Sequence, residues 1–348
     1  MARYLKHIYC ECKFIETCIS KIENWKFDAS NYQELRLWMC IRSLLFSSKI
    51  ILHLDISIEE LDNIEKKPKK ELNILEKQLL NLYCRHKEGL SRLKISEGFV
   101  TPDSIDFTNK AQLTACYLTC MDYETCKKYS NNYGIMIISP DNIKEFGAVL
   151  FDNGRAIQKG DHRSWKNMLK AVPCNTLALA DNYICIDDST IRDNLIEILD
   201  ALLPEELNLD IPFQISIFTT LKTNNNRDDV DSRNCLKAIA KLIEKVRPNL
   251  YFKLAIFKCK HFHDRTLVTN NLYINCPGGF DLMKYGKSSK TTMLNIVYPY
   301  INNSTNWCSD AYSNFINDIS YVYNKSTEFQ SDYLTGFYVG DKRNRLFI

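Results

Sequence analysis

Residues 261–271 read His-Phe-His-Asp-Arg-Thr-Leu-Val-Thr-Asn-Asn, and Pro277-Gly278-Gly279-Phe280 follows shortly after. No other stretch sets so many hydrogen-bonding side chains beside apolar, strand-like runs. An imidazole changes charge near neutrality and can act as base, acid or nucleophile. A guanidinium grips phosphate as a planar fork. His263, Asp264 and Arg265 are therefore the candidate catalytic residues, and His261, Arg265, Thr269 and Asn270 the candidate phosphate-binding ones. Cys259, His261 and His263 alternate, so on a strand they share one face. With a fourth ligand they would hold a metal; a cysteine in the core beside polar neighbours is the plainer reading. A salt-bridged corner at His263-Asp264-Arg265, with Gly278-Gly279 as a simple turn, is the structural alternative for the whole stretch.

A second set of groups lies in the first half. Asp55 closes the run Ile50-Ile-Leu-His-Leu54, and Asp141 follows Ile135-Met-Ile-Ile138. Asp122 and Glu59 stand nearby in the pattern. Carboxylates gathered at strand ends bind Mg or Mn, and metals so held activate water and stabilise a leaving oxygen. Asp55, Asp122 and Asp141 are the candidate metal ligands. The same acids also suit helix N-caps.

The elements that must position these groups alternate between strand and helix, which gives an α/β class with two α/β domains. In residues 1–175 apolar spacing predicts a strand over 4–14, a helix over 32–46, a strand over 49–55 and a helix opening at Ser57. An amphipathic helix follows over 71–82, behind the solvated run Lys66, Lys67, Lys69, Lys70. Then come a strand over 111–118, a helix over 122–133 closed by Gly134, and a strand over 135–138. Residues 151–176 read as a polar connection with one helix. From 176 to 300 the pattern is β-α-β-α-β-β: strands over 176–186, 213–219 and 250–259, helices over 191–203 and 231–246, then short strands at 267–268 and 272–274. Its sheet is mixed and flanked by helices, and such sheets bind ligands beyond the carboxyl ends of their strands. Residues 301–348 form a Tyr- and Asn-rich extension with a helix over 311–323.

The His-Asp-Arg triplet, the strand after it, the Thr-Asn pair and the Gly-Gly-Phe turn together resemble the phospholipase-D-like fold. The likeness is closest to its degenerate form in bacterial His-Asp-Arg proteins and in the C-terminal domain of MIT-domain proteins. Leu179-Ala-Asp-Asn-Tyr-Ile184 resembles the first strand of that unit, and the likeness spans roughly residues 177–300. The active family carries His-x-Lys with a following aspartate, and two motif copies. Here Arg265 replaces the lysine, and no second copy is present in the sequence. The resemblance therefore implies a domain that binds phosphate-bearing partners, nucleic acid above all. The run 111–141 resembles the later half of PIN-like nucleases, which implies a carboxylate metal site in the first domain.

Composition bounds the rest. The 348 residues suffice for two domains, with 45% hydrophobic and 25% charged residues in the globular range. A net charge of +3 marks no global nucleic-acid binder, so any basic surface is local. The 14 cysteines lack zinc-finger spacing and often sit in apolar runs, which reads as reduced thiols in a cytoplasmic protein. No signal sequence or membrane-length apolar run is evident. Abundant Asn, Lys and Ile point to an AT-rich bacterial genome. The leading expectation is a bacterial accessory protein, of the kind used in phage defence or by mobile elements, that binds nucleic acid. The alternatives are a metal-dependent nuclease and a non-enzymatic subunit that assembles with another protein or with its own copies.

Overall fold

The computed structural model describes residues 4–347 apart from 26–31, 96–97, 148–152, 170–171, 206, 221–231, 260–261, 263–264, 301–306, 329–334 and 340–342. It is an α/β structure built on two sheets. The first holds five parallel strands: β1 (Lys6–Cys10), β2 (Ile50–Leu54), β3 (Leu93–Ile95), β4 (Cys116–Leu118) and β5 (Met136–Ile138), in the order β3-β2-β1-β4-β5. Continuous apolar runs make these strands, because helices and loops bury both faces. On one face α1 (Cys12–Glu23) sets Phe14, Ile15, Cys18 and Ile19 into the core, near Trp38 and Ile41 of α2 (Tyr32–Leu45). On the other, His53, Tyr9 and Tyr117 stand in register across β2, β1 and β4 and stack ring on ring.

Local sequence explains where the helices begin. Ser57 and Glu60 form a reciprocal capping box for α3 (Ile58–Lys66), and Asn73 and Glu76 do the same for α4 (Ile74–Lys87). The expected strand over 111–118 divides: Asn109 caps a short α5 (Lys110–Leu113), and only Cys116–Leu118 pairs as β4. The Asn109 amide oxygen takes the Ala111 and Gln112 N–H groups, which starts a helical turn that apolar spacing alone does not reveal. Gly134 ends α6 (Tyr123–Tyr133) at φ +60°. A Cβ there would lie 2.3 Å from the Cys174 carbonyl oxygen, so glycine is required by conformation and by contact.

The second sheet has eight strands. Its centre is parallel: β7 (Thr176–Ala180), β8 (Phe213–Thr219) and β9 (Phe252–Lys258). Beside β7 run β10 (Thr266–Thr269), β11 (Tyr273–Asn275), β14 (Thr292–Val297) and β6 (Asn153–Ile157), each antiparallel to its neighbour. β15 (Thr335–Val339) closes the other edge, antiparallel to β9. One expectation is corrected by this topology: residues 153–157 are an edge strand of this sheet rather than part of a polar connection. The described residues of the C-terminal extension pack into the same sheet. They supply β15 and the helix Trp307–Glu328, and buried Asn344 binds Thr176, Leu177 and Ser216.

The two sheets meet at a buried polar seam. Lys6 at the start of β1 donates to the carbonyls of Thr114 and Asn270 and, at 3.0 Å, to the Asn271 side chain. The Asn175 amide donates to the Leu113 and Tyr133 carbonyls, and the Asn270 amide to that of Gly134. No helix among the described residues is long and apolar enough to cross a membrane.

Candidate functional site

The chemistry-bearing end of the second sheet is the carboxyl edge of β7, β8 and β9. The strand over 176–186 stops at Ala180, and Asp181 turns the chain. Buried Asp181 accepts the Tyr183 N–H at 2.8 Å through Oδ1 and the Phe280 N–H at 2.6 Å through Oδ2. Burial raises its carboxyl pKa. The two N–H bonds oppose that rise, Asp281 adds to it, and Arg265 opposes it. The next carbonyl, of Asn182, takes the Thr219 and Thr220 hydroxyls and so ties this loop to the end of β8.

Arg265 enters this edge from β10, whose Thr266 pairs with Ala180. One terminal nitrogen donates to the Pro277 carbonyl at 3.1 Å. Its Nε is buried without a hydrogen-bond partner among the described residues, and its guanidinium carbon lies 5.8 Å over the Tyr183 ring. Tyr183 is exposed. A guanidinium charge beside an exposed ring is suited to an anion joined to a flat group.

The Gly-Gly turn is built rather than merely permitted. Gly279 adopts φ +97°, and a Cβ there would meet the Asp281 carboxylate at 2.4 Å. A Cβ on Gly278 would strike Thr292 at 2.6 Å, and the Gly278 N–H donates to the Thr292 hydroxyl. Lys290 completes the turn, bonded to both Asp281 oxygens and to the Gly278 carbonyl.

From that ion pair projects a two-stranded ribbon, β12 (Met283–Lys284) and β13 (Lys287–Ser288). Its tip is Tyr285-Gly286, at φ +50° and +72°. Successive positive φ values make the tight hairpin turn that normally takes Asn-Gly or Asp-Gly. Tyr285 is 93% exposed and lies between exposed Lys284 and Lys287. The base is rigid. Buried Asn194 accepts the Trp165 indole N–H and the Met283 N–H and donates to the Met283 carbonyl. Asn194 sits in a π-helical turn, Ile191–Ile196, which turns its amide toward the ribbon.

The sequence-derived residues divide. Arg265 is at this edge. His261, His263 and Asp264 lie outside the described residues, as does the alternation they make with Cys259. Phe262 between them packs in the core against Phe218 and Phe315. Thr269 and Asn270, expected to bind phosphate, are at the opposite end of β10, buried in the seam. The Thr269 hydroxyl accepts the Asn271 and Leu272 N–H groups, and the Asn270 oxygen accepts that of Asn175. These groups are consumed by a tight turn and by docking of the two halves, so the phosphate assignment is corrected for both.

The first-domain carboxylates also have structural employment. Asp122 caps α6 through Thr125, which holds its carboxyl below the usual range. Asp55 accepts the Cys12 N–H at 2.6 Å at the start of α1. Glu11 bridges β1 to β4 through the Thr119 hydroxyl and the Cys120 N–H. Asp141 is exposed beyond β5, where buried Asn142 organises the turn. Among the described residues no three His, Cys, Asp or Glu side chains are placed to hold one metal ion. Asp55, Asp122 and Asp141 therefore do not converge into the expected Mg or Mn cradle; strand-end acids here serve as caps and latches.

Asp181, Asp281, Lys290 and the ribbon escaped sequence reading. The available signals were an acid directly after an apolar run at 181 and a glycine between lysines at 284–287.

No protein-family model matches the chain, and no curated protein matches it. Among solved structures, the chain is similar over 42% of its length to TrmBL2, an archaeal chromatin protein whose structure shows a novel mode of DNA binding. The identity is 16% and the TM-score 0.22, and the match covers 46% of that protein, so the chain spans less than half its length.

Proposed function

We propose that this chain binds nucleic acid along the edge running from Arg265 and Tyr183 to the β12–β13 ribbon. The observation that carries the reading is Tyr285. An aromatic ring is fully presented to solvent on a backbone conformation unfavourable to it, flanked by two lysines, on a ribbon whose base is fixed by Asn194. Strain maintained at an exposed aromatic tip is a mark of function. Lysines neutralise phosphates, an exposed ring stacks on a base, and neither needs sequence specificity. The resemblance of His263-Asp264-Arg265 to the degenerate phospholipase-D-like motif supports the same partner class. The chemistry assigned is binding; Arg265 and the lysines supply charge and donors.

Fluorescence anisotropy with single- and double-stranded oligonucleotides tests the reading. The Lys284→Ala, Lys287→Ala double variant is expected to weaken binding. It is also expected to reduce the slope of log affinity against log salt by about 0.7 to 0.9 for each phosphate no longer neutralised. Arg265→Ala is expected to weaken binding further. Unchanged affinity and salt slope in both variants, with the fold intact, would sink the proposal.

A further inference from the structure

Where residues 343–347 cross the amino ends of β7 and β8, a cavity of ≈340 Å³ opens between this segment and α5. It lies at the junction of the two halves, at the strand ends opposite the ribbon. Lys110, Arg343 and Arg345 line it, together with the rings of Phe107, Tyr323 and Phe347. No carboxylate is among its described lining residues. Three cationic side chains thus line one concave, partly apolar space.

Arg345 is the fixed member. It is buried, and one terminal nitrogen donates to the carbonyls of Asn175 at 3.1 Å and Pro212 at 2.9 Å. Its backbone N–H donates to Gln214, another lining residue. These carbonyls hold the guanidinium in place. Lys110 and Arg343 are exposed at the rim and add their charge at the mouth of the cavity. Tyr323 and Phe347 pack with ring centroids 4.5 Å apart, which gives the apolar wall a preset shape.

We propose that this cavity binds a small phosphomonoester carrying a flat ring, of the size and charge of a nucleoside monophosphate. The volume falls at the small end of the range of small-molecule sites, about 300–1,000 Å³, which favours a mononucleotide over a polymer. Three lining cations select a dianion over a neutral or cationic ligand, and aromatic walls favour a planar group over a bare phosphate.

Isothermal titration calorimetry on the full chain tests this, with the four common nucleoside monophosphates, their nucleosides and inorganic phosphate as probes. At least one monophosphate is expected to bind one-to-one, about tenfold or more tighter than its nucleoside and than inorganic phosphate. Lys110→Ala and Arg343→Ala, both at exposed positions, are each expected to weaken it about fivefold or more. The Lys284→Ala, Lys287→Ala variant is expected to bind the monophosphate as the unaltered chain does, which separates this site from the ribbon edge. Absence of binding at millimolar monophosphate would overturn the proposal. So would equal binding of inorganic phosphate, an affinity untouched in the Lys110→Ala, Arg343→Ala double variant, or loss in the ribbon variant.

Discussion

The Asp181 carboxylate accepts the backbone N–H of Phe280 at 2.6 Å across ninety-nine residues of sequence. With the Tyr183 N–H on its other oxygen, it holds the carboxyl end of β7 against the Gly-Gly turn at the root of the ribbon. Hydrogen bonds to a charged group contribute about 1.5–3 kcal/mol each. Asp181→Ala leaves two donors unmet and is expected to destabilise the fold by about 3 kcal/mol in urea unfolding. Asp181→Asn keeps one acceptor oxygen for two donors and is expected to fall between that variant and the original. Equal stability of all three proteins would show that the bond is incidental.

Tyr285 sets stability against the proposed binding. A bulky residue at positive φ costs about 1–2 kcal/mol, and asparagine occupies that region more readily. Tyr285→Asn preserves the turn, removes the ring and relieves the strain. The variant is expected to unfold at higher temperature than the original protein while binding single-stranded oligonucleotide more weakly. A drop in stability would mean the ring packs on something the described residues do not include. Unchanged binding would remove the ring from the interface.

Local rules made much of the fold legible. Apolar runs at 50–54, 136–138, 213–219 and 252–258 became strands, and Ser57, Asp122 and Gly134 bounded helices as their side chains or backbone freedom dictate. Partners distant in sequence were not legible. β6 and β15 are edge strands whose pairing depends on β14 and β9. The site was legible only at Arg265. Thr269 and Asn270 have the right chemistry for phosphate, but a turn and a domain seam need the same donors and acceptors, and burial decided the matter. Asp55 and Asp141 satisfied the rule that metal ligands sit at strand ends. Helix starts sit there too, and the Cys12 N–H claimed Asp55.

Lys6 joins the two halves with no exposure to solvent. Burial pushes its pKa down to about 7, while its carbonyl and amide acceptors still engage the nitrogen. With the folded value below the unfolded one, the unfolded chain binds more protons between about pH 7 and the ordinary lysine value. Stability from this group therefore rises with pH across that window, by up to about 1.4 kcal/mol per unit. Buried thiols, whose pKa values are raised, act in the opposite direction as pH nears and passes their ordinary value, so the lysine's share is read as the difference between the original protein and a variant without it at the same pH. Lys6→Met leaves its acceptors unpaired and is expected to be about 2–4 kcal/mol less stable at pH 7. Its deficit relative to the original protein should also widen between pH 7 and 8.5. A deficit that stays constant over that range would assign the pH dependence to other groups.

His7 and His53 form the acid-sensitive pair of the first sheet, Nδ1 to Nε2 at 2.9 Å, with His53 stacked on Tyr9. Burial lowers His7 to about 4, aided by the charges of Lys94 and Lys6. Burial lowers His53 to about 3, aided by His7 and Lys94. Both folded values are depressed, so the fold keeps the rings neutral. Their contribution is complete above the unfolded value near 6.5 and is lost as pH falls toward 4 and 3. Each ring adds up to about 1.4 kcal/mol per pH unit to the loss below 6.5. Urea midpoints between pH 6.5 and 5, above the range where most carboxylates titrate, are expected to fall steeply. His53→Gln removes one titrating ring and leaves His7 to titrate, so the variant should show about half the slope. The same slope in His53→Gln would place the acid sensitivity outside this pair.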